Sequence, residues 1–145
     1  MSQHDEAQPD WRRMLEIAGP YPIEAFAFVR DGLSYTAQRV HENLESLSED
    51  ERHVSGQQLC LGLRDFAIEK YGMLARDVLA HWNVDRTDDF GRIVFAMIDE
   101  GVMSRNDNDS MEDFRAVFDF AEAFSRDELL ARIGASSGNR AQAVH

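Results

Sequence analysis

His53, Cys60 and Asp65 carry an imidazole, a thiol and a carboxylate, group types from which a small active site can be assembled. Cys60 is the single cysteine of the chain. It can form no intramolecular disulfide and belongs to no paired-cysteine metal motif. It falls beside an apolar stripe, where a thiol serves more often as a small buried hydrophobe than as a nucleophile. Nothing around it in the sequence marks the low-pKa environment that a reactive thiolate needs. The five histidines stand at positions 4, 41, 53, 81 and 145. None is spaced His-x-x-x-His or Glu-x-x-His, the steps that place two ligands on one helical face. His41 and His53 flank an acidic segment containing Glu42, Glu45, Glu49 and Glu51. The plain expectation for His53 is a hydrogen bond to a neighbouring carboxylate. The loop from Asn106 to Glu112 alternates oxygen-bearing side chains as calcium loops do. Counted from Asp107, however, the sixth place is Glu112 instead of glycine and the twelfth is Phe118 instead of glutamate. A polar turn is expected there. The sequence has no glycine-rich phosphate loop, serine nucleophile elbow or paired-carboxylate motif. No metal or cofactor is expected.

These residues lie in a chain read as mainly α, one compact helical domain over 10–133 with its core at 53–120. The polar residues 1–9 are expected to be disordered, and 134–145, GASSGNRAQAVH within its flanks, a flexible tail. Asp10 is positioned to cap a short helix whose face is Trp11, Met14, Leu15 and Ala18, stopped by Gly19 and Pro20. Pro22 suits the first position of a long helix with apolar stripe Ile23, Phe26, Val29, Leu33, Ala37, Val40, Leu44 and Leu47. Gly32 within it predicts a bend or a close helix contact. Three helices follow in 53–101. Ser55 and Gln58 form a capping box at the first, and Gly72 ends it. The second runs from Met73 to Trp82, with Asn83 as its stop. Thr87 is expected to cap the third, whose Phe90, Ile93, Val94, Met97 and Ile98 repeat at clear helical spacing. Between Phe114 and Phe120 two periods compete. Strict alternation suits a strand that pairs with 102–104 as a short, wing-like β-hairpin near residues 102–119, whereas Phe114, Val117, Phe118 and Ala121 suit a helix. The hairpin is the expected outcome. A last short helix is expected over Glu122 to Ile133, with Ser125 as a possible cap.

The net charge is −12 on 145 residues. The order helix, short helix, turn, helix, hairpin is that of a winged helix-turn-helix, but the charges oppose DNA reading. Residues 53–120 hold seven basic residues against thirteen acidic ones, and the third helix has Arg92 alone against Asp88, Asp89, Asp99 and Glu100. Affinity for phosphate backbones comes from Lys and Arg, so nucleic acid is not an expected partner, and neither is an anionic membrane surface. The N-terminus lacks the basic start and apolar run of a secretory signal, and no apolar run reaches the ~20 residues of a membrane span. A cytoplasmic location is expected.

The segments YPIEAFAFVRDGLSYT, HVSGQQLCLGLRDFAIEKYG and TDDFGRIVFAMIDEGVMS, with the later DFRAVFDF, resemble a family of conserved hypothetical proteins found chiefly in planctomycetes and verrucomicrobia. The resemblance covers residues 11 to 124 or thereabouts. It implies one domain of a bacterial cytosolic protein and carries over no functional residue.

The aromatic residues exceed what a small core requires. Phe114, Phe118, Phe120 and Phe124 are therefore the candidates for a protein-contact surface, rimmed by acids. The leading expectation is a non-enzymatic protein-interaction module, self-associating or binding another protein. The alternative is a small enzyme or ligand-binding protein with its site near His53, Cys60 and Asp65, between the helix at 23–47 and the core. A transcription regulator is the third reading.

Overall fold

A computed structural model describes residues 2–3, 12, 16, 19–41, 46–48, 51, 53–104 and 109–134. Ser2–Gln3 is β1. Helix α1 is Ile23–Val40, α2 is Gly56–Tyr71, and a 3-10 turn over Gly72–Leu74 leads into α3, Ala75–His81. Helix α4 is Thr87–Asp99 and β2 is Met103–Ser104. A second 3-10 turn spans Met111–Phe114, followed by α5, Phe120–Ala123, and by α6 at 126–134. The mainly α reading holds.

Helices α1 and α2 cross closely because small residues sit at the crossing. A Cβ on Gly62 would stand 1.9 Å from Thr36 Oγ1, and one on Gly32 would stand 2.2 Å from Leu63. Thr36 turns its hydroxyl back onto the Gly32 carbonyl at 2.7 Å, so the buried group is satisfied. Of the two outcomes expected at Gly32, the close contact is the one that occurs. The Ser55–Gln58 capping box forms in both directions, at 3.1 and 3.0 Å. Gly72 and Asn83 adopt φ of 55° and 65°, the left-handed region that ends a helix. Ser125 accepts from the Glu128 amide at 3.2 Å and opens α6.

The wing-like hairpin over 102–119 does not form. Met103–Ser104 pairs antiparallel with Ser2–Gln3, and thus two residues of the N-terminal stretch expected to be disordered lie in a short ladder. The segment after residue 110 takes its hydrogen bonds from side chains instead of from a strand. Thr87, expected as a helix cap, is the first residue of α4 and fully buried. Its hydroxyl donates to the Phe114 carbonyl at 2.7 Å and accepts from the Val117 amide at 3.0 Å. Asp88 accepts from the Ala116 amide at 3.3 Å. Asp119 accepts from the Ala121 and Glu122 amides at 2.7 and 3.2 Å and opens α5. The strict alternation from Phe114 to Phe120 misled because Ala116, the second residue of the pattern, is exposed and has φ of 47°.

The phenylalanines expected to form a contact surface are mostly core. Phe114 is fully buried and wedged between α2 and α4; a Cβ on Gly56 or Gly91 would come within 2.9 or 2.8 Å of it. Phe120 and Phe124 are buried, and Phe118 is half-buried, stacked on Phe120 at 5.3 Å. Sequence spacing records which residues are apolar, whereas burial depends on the two glycines opposite.

The long helix ends at Val40, short of the expected Leu47. His41 is extended, and its Nε2 lies 2.7 Å from the His53 carbonyl oxygen, which ties the end of α1 to the approach to α2. The final helix is broken between Ala123 and residue 126, with Ser125 at the break. The expected cap at Asp10 lies outside the described residues, as do 105–108 of the polar loop and 135–145 of the tail; of the helix at 11–18, only Arg12 and Glu16 are described, and both are helical. Among the described residues, no helix is long and apolar enough to cross a membrane.

Candidate functional site

His53, Cys60 and Asp65 occupy three different settings. Cys60 is fully buried in the core. Burial, with Asp88 adding to it, pushes its thiol well above the ordinary range, which disfavours the nucleophilic thiolate. Asp65 is five residues further along α2, roughly 140° around the helix. Its Oδ1 accepts from Arg64 Nε at 3.0 Å and from Arg132 Nη1 at 2.9 Å, and its Oδ2 lies 3.5 Å from Arg39 Nη1. One carboxylate thus ties α2 to α1 and α6. His53 precedes α2 and sets Nε2 3.5 Å from the Oδ1 of Asp109, a buried carboxylate that comes from the polar loop and not from the nearby acidic segment. Burial, helped by His41, lowers the pKa of His53 despite Asp109 and Asp113. Among the described residues, no group of three or more His, Cys, Asp or Glu is placed to hold a metal ion.

Sequence reasoning missed a more ordered cluster. Asp89, the third residue of α4, is buried. Its Oδ2 accepts from the backbone amides of Asp85 and Arg86 at 3.0 and 3.2 Å, the reach-back half of a capping box. Its Oδ1 accepts from Arg92 Nη1 at 2.8 Å and from the Tyr21 hydroxyl. Burial opposes the charge of Asp89, yet the Tyr21 hydroxyl and the amides outweigh it and hold the carboxyl below its usual range. Burial and the Asp89 carboxylate push Tyr21 up to about 12, against the pull of Arg92. The amide of Asn83 donates to the Pro20 carbonyl at 2.9 Å, so the turn before α1 is pinned to the end of α3. Asp88 and Asp89 are legible in the sequence as first-turn acids. The partnership with Tyr21, 68 residues away, leaves no signal in spacing.

This cluster forms the wall of a cleft of about 740 Å³ lined by Pro20, Tyr21, Ala80, Asn83, Asp85, Arg86, Asp89 and Arg92. A second cleft, about 470 Å³, lies across the Asp85–Arg86 ridge and is bounded by Arg76, Asp88, Phe118 and Asp119. The first is the better candidate for binding, because Asp89 and Arg92 in its wall are fixed by hydrogen bonds. No protein-family model matches the chain, and neither a curated protein nor a solved structure matches it.

Proposed function

We propose that the protein is a non-enzymatic protein-interaction module. The observation that supports this reading is a shelf of exposed apolar side chains on two elements that meet, the turn after α2 and α6. Leu74 is 61% exposed and Met73 40%, both in the turn after α2. Ile133 of α6 approaches the same turn, its Cδ1 3.7 Å from where a Cβ on Gly72 would stand. Leu130, one turn earlier on α6, is 48% exposed. Isolated exposed leucines are ordinary, but exposed apolar side chains on two elements that meet are the kind of surface that a partner covers. The occupant is a different protein, one carrying basic residues around its apolar contact. Two copies with a charge of −12 each repel one another.

The test is to isolate a partner, identify it, purify it and measure its affinity for the protein and for Leu74→Glu/Leu130→Glu. The expected result is a loss of at least about tenfold, as for a central apolar contact. Light scattering should give a monomer. Undiminished affinity in the variant, or dimerisation through the shelf, overturns the reading.

A further inference from the structure

We infer that the cleft between Pro20, Ala80, Arg86 and Arg92 is a binding site for a carboxylate group. The inference is independent of the apolar shelf, with which the cleft shares no residue. Asp89 already has a donor for each of its four acceptor sites. Two backbone amides occupy Oδ2, and the Tyr21 hydroxyl already reaches Oδ1. Arg92 adds Nη1 to the same Oδ1 at 2.8 Å and lies 3.5 Å from the Tyr21 oxygen. The side chain of Arg92 is 57% exposed but anchored at one nitrogen. Its Nε and Nη2 have no partner among the described residues. An exposed arginine is normally free to sample rotamers, and ordering it is part of the cost of binding. Here the fold has already set the guanidinium, with donors left for a planar acceptor.

Arg86 supplies the second cation. It is 66% exposed and meets Asp85 only at 3.6 Å, beyond hydrogen-bond range, so a better acceptor can displace that contact. Pro20 and Ala80 give the cleft an apolar wall for the body of a ligand. The two arginines and two aspartates balance formally, but Asp89 is buried beneath the rim, whereas both guanidiniums and the Asp85 carboxylate stand at the surface, which leaves one positive charge in excess there. That arrangement suits a monoanion and disfavours a dianion such as phosphate. The ligand class is therefore an organic carboxylate with a small apolar body, either a free acid or the end of a peptide chain.

The experiment is a nitrogen–proton NMR titration of the full chain with propionate at constant ionic strength, following the amides of Asn83, Asp85 and Arg86 and the Nε–H of Arg92. Saturable shifts at these groups are expected with propionate and not with propionamide. Arg86→Gln/Arg92→Gln should weaken binding about tenfold or more, the loss expected when charge-assisted hydrogen bonds are removed. Arg30→Gln, on the exposed side of α1, should leave it unchanged. If the double variant does not fold, Arg86→Gln alone and Arg92→Lys replace it, and both should bind more weakly. An acetylated tetrapeptide with a free C-terminal carboxylate, compared with its amide, separates the two sources. Tighter binding of the peptide acid than of propionate assigns a chain end, and equal binding assigns a small acid. Shifts that are linear, equal for propionamide or unaltered in the arginine variants overturn the site.

Discussion

Asp65 and Asp89 are both aspartates bonded to arginine, but they do opposite work in the fold. Asp65 is 22% exposed at its side chain and collects three guanidiniums from three helices. Its partners are themselves partly solvated, and Arg132 also bonds Glu128 at 2.9 Å. Solvent and salt screen such a cluster, so each contact is worth little. Asp89 has almost no exposure and draws three of its four hydrogen bonds from neutral donors fixed by the backbone or by a buried phenol. Its contacts are screened less, and losing the carboxylate leaves the buried Tyr21 hydroxyl and two part-buried amides without their acceptor. The cluster richer in ion pairs is therefore the weaker one. What matters is which groups are left unsatisfied when the carboxylate is gone.

Asp89→Ala should separate the two aspartates most. It should cost about 3 kcal/mol, because the Tyr21 hydroxyl and two amides lose their acceptor. Urea unfolding measures this, and a cost no larger than that of Asp65→Ala would remove the distinction. Acid should separate them next. The carboxyl of Asp89 is held below the ordinary aspartate value of 3.8 in the folded protein. The stability it contributes is fully present above that value and is lost as pH falls through the lower, folded-state value. Wild type minus Asp89→Asn, followed by urea unfolding from pH 5 downward, should therefore shrink toward the acid end. A difference that stays constant with pH would contradict the shift. Tyr21→Phe comes third, at about 1 kcal/mol, since the amides and Arg92 continue to hold Asp89. It should also abolish the phenol that titrates at about 12 in ultraviolet absorbance. Asp65→Asn is the smallest, below about 1 kcal/mol. Its effect should fade between low salt and 1 M NaCl, while that of Asp89→Ala persists. A salt-independent cost at Asp65 would mean that its arginines are held as firmly as Tyr21.

Local features of the chain were legible wherever one short segment contains both halves of an interaction. Ser55 and Gln58 cap α2 as their spacing predicts, Gly72 and Asn83 end helices, and the stripe from Phe90 to Met97 faces the core. Thr87 was misread because its side chain had two uses. Arg86 is the N-cap and its amide is held by Asp89 reaching back, so Thr87 stands inside the helix and its hydroxyl holds Phe114 and Val117, about thirty residues on. The same exchange removed the expected hairpin, since a backbone already satisfied by Thr87, Asp88 and Asp119 has no need of a ladder. The site at His53, Cys60 and Asp65 was drawn from residue types alone. Helical rotation and the depth of Cys60 place the three in different surroundings.

The sequence alone determined the helical class, most of the helix ends and the acidic surface, because these follow from periodicity, capping chemistry and charge count within a few turns of chain. Tertiary structure alone decided where the phenylalanines go and which aspartate becomes a fixed point. Phe114 is core because Gly56 and Gly91 leave room for its ring, and Asp89 is held because the turn before α1 brings Tyr21 to it. Both depend on steric fit and desolvation between segments far apart in the chain, which no local pattern of residues records.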